Sequence, residues 1–240
     1  MNLESSKQDL AHQYLKSSVQ YGHSPKEWNP KMAPYLLGEA KGHHIFDLVK
    51  TAKLLKLAGN VAASFAKKGK TILFVGSNKI SSSAVAKYAI RSESFYINYR
   101  WLGGLLTNWE TIQKRMERMK ALENVLAFGN EEKLTKKEKS EQRKELEKLR
   151  YLFQGINHMK SLPDLVIFTN QNKDYNAVYE CLRLGIPSIC IVDSNSNPDL
   201  IPYPIPANDD SVASIHLILG HLADKISEQK AIVSPLKSPI

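Results

Sequence analysis

Four side chains in this sequence have the chemistry to converge on one ion: His23, Asp193, Asp209 and Asp210. An imidazole and carboxylates together suit a divalent cation, zinc or magnesium according to geometry. Three of these four could make such a set. The plainer alternative makes Asp193 a turn residue and Asp209 a helix cap. The two cysteines, Cys181 and Cys190, have no metal-ligand spacing and read as small buried hydrophobes in a reducing compartment. There is no Gly-x-Ser-x-Gly, no His-Glu-x-x-His and no paired cysteines of redox type. The turn Gly76-Ser77-Asn78-Lys79 follows an apolar run and opens a helical stretch, so helix N-terminal amides and Lys79 could take a phosphate there. It has neither the dinucleotide glycine spacing nor a P-loop lysine.

A second kind of chemistry is spread along the chain. The loop 21–32 carries Lys26, Trp28, Asn29 and Lys31, and Lys41 follows it. A tryptophan in a basic loop can stack on a base or ribose, or it can plug the loop onto the core. Arg100-Trp101-Leu102-Gly103-Gly104-Leu105-Leu106-Thr107-Asn108-Trp109 leads into a densely charged stretch with Lys114, Arg115 and Arg118. Lys26, Trp28, Asn29, Lys31, Lys41, Lys79, Asn98, Arg100, Trp101, Asn108, Lys114, Arg115 and Arg118 form the candidate set for contact with a nucleic-acid polyanion. The formal net charge of +9 is uneven. Residues 1–153 hold 27 Lys and Arg against 15 Asp and Glu, whereas residues 154–240 hold 6 against 9. Such a one-sided excess suits a polyanion, whose condensed counterions are released on binding.

The elements that must position these groups alternate. The spacing predicts a helix at 5–20, a short strand at His44–Phe46, and a helix from the Asp47 cap to Lys68 with Gly69 as its stop. Thr71–Val75 reads as a strand buried on both faces. A helix at 81–91 and a strand at 95–97 follow. From Thr107 to Phe153, 21 of 47 residues are charged, with narrow apolar stripes at Ile112, Met116, Met119 and Leu126 and at Gln142, Leu146, Leu149 and Phe153. Phe128-Gly129-Asn130 breaks the first helix and a Thr135–Glu138 capping box starts the second. This is an antiparallel, coiled-coil-like hairpin about 31 Å long. The α/β rhythm then resumes with a strand at 164–168, a helix at 175–184, a strand at 188–192 and a loop at 193–208. A last helix from Asp209 to Glu228 turns Val212, Ile215, Leu219 and Leu222 inward. The fold class is therefore α/β: a three-layer body with a mainly parallel sheet, made of residues 1–106 and 154–233 as one discontinuous domain, with 107–153 inserted and 234–240 a flexible tail. No apolar run reaches membrane-span length. The first residues lack the layout of a signal or transit peptide.

In order, Gly22-His23, Trp28–Met32, His44-Ile45, Asp47-Leu48 and Leu73–Gly76 resemble one family. Arg100–Gly104, Leu106–Trp109, Leu134–Glu138, Leu162–Asp164, Leu184–Pro187, Val192-Asp193-x-Asn195 and Ile205-Pro206-x-Asn208-Asp209-Asp210 continue it. The chain resembles the S-two family of small-subunit ribosomal proteins, bacterial and organellar branch. That resemblance implies a flavodoxin- or Rossmann-like body with a coiled-coil hairpin after the third strand. It implies a structural role on the small subunit, contact with its ribosomal RNA and neighbouring ribosomal proteins, and no catalysis, membrane or small-molecule substrate. No cofactor is required. A structural divalent ion at His23, Asp193 and Asp209 is implied for some members. Lys31–Tyr35, Cys190–Asn195, Pro198–Leu200 and Ile205–Asp210 look most like plastid members. The expected location is thus the plastid stroma, on the ribosome, with bacterial cytoplasm as the alternative. Tyr99 departs from the more polar residue usual there, so no contact is carried over to it. The competing function is a sugar-phosphate isomerase or nucleotide-binding enzyme using the Gly76-Ser77 turn.

Overall fold

The computed structural model describes residues 12–128 and 136–233. In chain order its strands are β1 (Leu36–Ala40), β2 (His43–Phe46), β3 (Ile72–Val75), β4 (Phe95–Ile97), β5 (Leu165–Phe168), β6 (Ser188–Val192) and β7 (Tyr203–Pro206). Its longer helices are α1 (Leu48–Lys67), α2 (Lys79–Arg91), α3 (Trp109–Phe128), α4 (Lys136–Phe153), α5 (Tyr175–Leu184) and α6 (Val212–Val233). Every residue of β3, β5 and β6 is buried. That is why these strands read as unbroken apolar runs: helices cover both faces of the sheet.

The sheet is five-stranded and all parallel, in the order β4-β3-β5-β6-β7. Alternation along each strand divides the core in two. Ile72, Phe74, Leu165 and Ile167 face α1, α2 and α6, together with Leu55, Val85, Leu219 and Leu222. Leu73, Val75, Val166 and Phe168 face the other way, toward Trp101, Met116, Phe153 and Cys181. Asp47 caps α1 by accepting from the amides of Val49 and Lys50, and Gly69 follows its end with φ +65. No helix among the described residues is long and apolar enough to cross a membrane.

α3 and α4 pack side by side and antiparallel: Gln113 near the start of α3 donates to the Lys160 carbonyl beyond the end of α4, and the ion pairs Arg118–Glu145 and Glu123–Arg150 cross between the helices. The stripe holding them is apolar: Ile112, Met116, Met119, Leu122, Leu146 and Phe153 are buried and continuous with the second core half. Each such side chain contributes roughly 1.5–3 kcal/mol on burial, whereas ion pairs this exposed add little. The expected break at Phe128–Asn130, the capping box beginning at Thr135, most of the 5–20 helix and the tail from Ser234 lie wholly or partly outside the described residues.

Three expectations need correction. The stretch 193–208 is not all loop, because Tyr203–Pro206 forms the sheet's edge strand. Pro204 and Pro206 are tolerated because an edge strand leaves one row of amides unpaired. The 21–32 stretch is not irregular throughout: residues 20–23 run along β2 through Gly22 N–H to the His44 carbonyl (2.8 Å) and Phe46 N–H to the Gln20 carbonyl (2.8 Å). Val212 does not face inward; it is half-exposed, while Ile218, Ala223 and Ile226 complete the buried stripe of α6.

Candidate functional site

The base of the α3/α4 arm is fastened by a side chain that no motif singled out. Glu180 lies on α5 and is 7% exposed. Its Oε1 accepts from the Trp101 indole N–H and the Gly104 amide, both at 2.9 Å. Its Oε2 accepts from the amides of Leu106 (2.9 Å) and Thr107 (3.1 Å) and from the Thr107 hydroxyl (3.3 Å). Burial alone raises the carboxyl's pKa, but these donors together hold it below the ordinary value. Gly104 sits at φ +83, a conformation that turns its amide toward the carboxylate at little cost only for glycine. The returning chain is fixed too. A Cβ on Gly155 would stand 2.1 Å from the Tyr96 carbonyl oxygen, so the chain end of the arm presses directly on β4.

The candidate contact residues divide around this base. Trp101 is buried with its N–H on Glu180, so it braces the loop and offers no open ring face. Trp109 is half-buried against the same core half. Trp28 is more open, 37% exposed, with its ring 5.1 Å from that of His44. Asn29 caps a 3-10 turn by accepting from the Lys31 amide, and Lys31 pairs with Asp199 at 2.6 Å. Asn108 accepts from the Thr111 hydroxyl at 2.7 Å and so serves the start of α3. Arg118 is committed to Glu145 across the arm. Lys26, Lys41, Lys79, Arg100, Lys114 and Arg115 are exposed, and among the described residues none has an ion-pair partner. Asn98 is half-buried beyond the end of β4.

His23, Asp193 and Asp209 do converge. Asp193 follows β6 and Asp209 follows β7, so adjacent parallel strands deliver both carboxylates to one edge. The segment carrying His23 crosses that edge. His23 Nδ1 lies 3.0 Å from Asp193 Oδ1, and its backbone N–H donates to the Ser194 hydroxyl at 2.8 Å. A Cβ on Gly22 would meet Ser194 Oγ at 2.9 Å, which is why a glycine precedes the histidine. One ligand atom from each of the three residues falls within 4.8 Å of the others. Asp209 is not a helix cap: Ser211 accepts from the Ser214 amide in that role. Instead Asp209 Oδ2 accepts from Asn170 at 2.7 Å, and Oδ1 is buried with no partner. The Asp193 hydrogen bond pushes the His23 pKa up to about 9, helped by the nearby carboxylates and opposed by burial. Burial and then Asp193 push Asp209 up to about 8. A buried acid with an orphaned oxygen thus stands beside a second acid and an imidazole, a donor set that could hold a divalent cation. Asp210 stands outside the set, exposed, 3.4 Å from His23 Nε2.

The Gly76 turn is closed to a phosphate. The Ser77 amide, the donor a ligand would use, faces Asp174 Oδ2 at 3.4 Å, and Asp174 is buried. A phosphate there would displace or confront a carboxyl group, and a Cβ on Gly76 would already meet Thr169 Oγ1 at 2.5 Å. Both cysteines are buried, and burial drives Cys181 up to about 12 and Cys190 well above the usual thiol value.

Comparison with known proteins matches residues 14–229 to the family described as "Ribosomal protein S2". The chain is 50% identical over 214 residues to the small ribosomal subunit protein uS2c of Rhodomonas salina, covering 89% of this chain and 88% of that one. It is equally identical to uS2c of Guillardia theta over 89% and 91% of the two chains. It is 46% identical to uS2 of the Picosynechococcus strain over 88% and 83%.

Proposed function

This chain belongs to the ribosomal protein S2 family, and from that premise we propose that it is a structural constituent of the small ribosomal subunit, held there through contacts with ribosomal RNA and neighbouring ribosomal proteins. The observation that carries this reading is the family match across 14–229, joined to an arm whose base is rigidly fixed and flanked by unpaired cations. Arg100, Lys114 and Arg115 present positive charge at the Trp101–Trp109 loop and the start of the arm, and Lys26 adds an exposed cation on the 21–32 loop; phosphates are the natural counter-charge. The arm's ends are fastened by Glu180 and Gly155, so its cations keep a defined position. Catalysis has no part in this account, because the family's role is structural and the Gly76 turn is filled by Asp174.

A structural divalent ion fits His23, Asp193 and Asp209. Bound there, it would supply positive charge to the orphaned Asp209 oxygen and tie the 20–23 segment to the ends of β6 and β7. One nitrogen and carboxylate oxygens suit zinc or magnesium. The relatives include uS2c proteins and cyanobacterial uS2 proteins, which supports the plastid stroma as the location, with a bacterial cytoplasm as the alternative. The direct experiment is co-sedimentation of the tagged chain with small subunits in a sucrose gradient. Migration with the small-subunit peak is expected. A chain that stays at the top of the gradient when subunits are in excess would overturn the assignment.

A further inference from the structure

Between Asp47 and Glu93 the sequence has no acidic residue, yet residues 48–92 carry eight lysines and an arginine. The structure places much of this charge on the outer face of α1. At about 100° per residue, Lys53, Lys56 and Lys67 fall within an arc of about 60°, and the span from Lys53 to Lys67 is about 21 Å. All three are exposed, as is Lys68 at the helix end. None of the four has an ion-pair partner among the described residues. Three other cations of this stretch are occupied: Lys50 donates to the Pro34 carbonyl, Lys70 pairs with Asp164 and Arg91 with Asp224. On the neighbouring α6, Glu228 is taken by Lys225. The nearby acids are thus neutralised, while the α1 lysines are left uncompensated.

This face lies on the opposite side of the sheet from the arm, since α1 packs on one core half and α3 and α4 on the other. We infer that the outer face of α1 is a second docking surface for an RNA phosphate backbone, so that RNA engages the body on both sides of its sheet. The inference rests on the ribosomal reading above. Charge complementarity selects the occupant. A row of unpaired ammonium groups with no interleaved carboxylate matches a phosphodiester chain, and lysines contact phosphates as point charges without needing bidentate geometry.

The test is salt-dependent binding of deproteinised small-subunit RNA by the full chain and by the triple variant Lys53→Gln/Lys56→Gln/Lys67→Gln. These side chains are exposed, so an unchanged melting curve is expected and serves as the folding control. Each lost phosphate contact lowers the slope of log affinity against log salt by about 0.7–0.9. The triple variant is therefore expected to bind about tenfold or more weakly at low salt, with a slope shallower by about two. Lys114→Gln/Arg115→Gln on the arm should add a separate loss. An unchanged slope and affinity would reduce the α1 lysines to a solvated face and overturn the inference alone. Normal RNA binding with loss from intact particles would assign the face to an acidic protein instead and also overturn it. Failure of the unaltered chain to bind either RNA or particle would remove the ribosomal reading and this inference with it.

Discussion

Glu180 Oε1 accepts the indole N–H of Trp101 at 2.9 Å, across 79 residues of sequence. This contact joins α5 to the loop from which the arm departs, and the same carboxylate gathers three backbone amides and a hydroxyl from Gly104 to Thr107. The arm's direction is thereby set by one buried acid on a helix that belongs to the body. Replacing Glu180 with Ala removes the acceptor and strands those donors. At about 1–3 kcal/mol for each buried group left unpaired, a loss of about 3–5 kcal/mol in urea unfolding is expected. A loss under about 1 kcal/mol would show that the loop is held by packing alone.

The same carboxylate gives a sign for pH. Its pKa is lower in the folded chain than the ordinary 4.5, so its contribution to stability is present above that value and is lost as pH falls through the depressed one. Denaturation midpoints measured in the acid range should fall more steeply for the unaltered chain than for Glu180→Gln. Parallel curves would contradict this.

Gly155 and Gly103 make a contrasting pair. An alanine at 155 would put its Cβ against the Tyr96 carbonyl, so backbone must move, and a cost of about 3 kcal/mol or more is expected. At Gly103 nothing lies within 4 Å of an added Cβ, and Gly103→Ala should fall within about 0.5 kcal/mol of the parent. Thermal melts of the two variants check this; equal effects would refute the description of the arm's return point.

Elemental analysis of the purified chain should find about one divalent ion, absent from His23→Ala. Because His23 and Asp209 both hold protons more tightly than usual, metal must compete with protons, and affinity should rise as pH rises toward 8–9. Metal content unchanged in His23→Ala would remove the histidine from the ligand set.

The parallel sheet was legible because its central strands are unbroken apolar runs, as at Ile72–Val75 and Ser188–Val192, and because Asp47 and Gly185 mark helix ends with their own chemistry. The arm was legible from its charge density and narrow stripes. Tyr203–Pro206 was hidden because its two prolines, tolerable only on an edge, read as loop. Glu180 was hidden because helical periodicity cannot distinguish a solvated glutamate from one buried against a loop 73–79 residues away. Trp101 could be read either as a brace or as a stacking ring; only the position of Glu180 decides for the brace. The His23, Asp193 and Asp209 set was visible as residue types, but their convergence depends on β6 and β7 being neighbours.

The central claim is that exposed cations at the fixed base of the arm bind this chain to the small ribosomal subunit. Its most direct test is sedimentation of Arg100→Glu/Arg115→Glu with small subunits, beside the unaltered chain. Both side chains are exposed and have no ion-pair partner among the described residues, so folding should survive. The expected result is a normal melting curve with the variant largely released from the small-subunit peak, more so as salt is raised. A folded variant fully retained on the particle at the same salt would contradict the account.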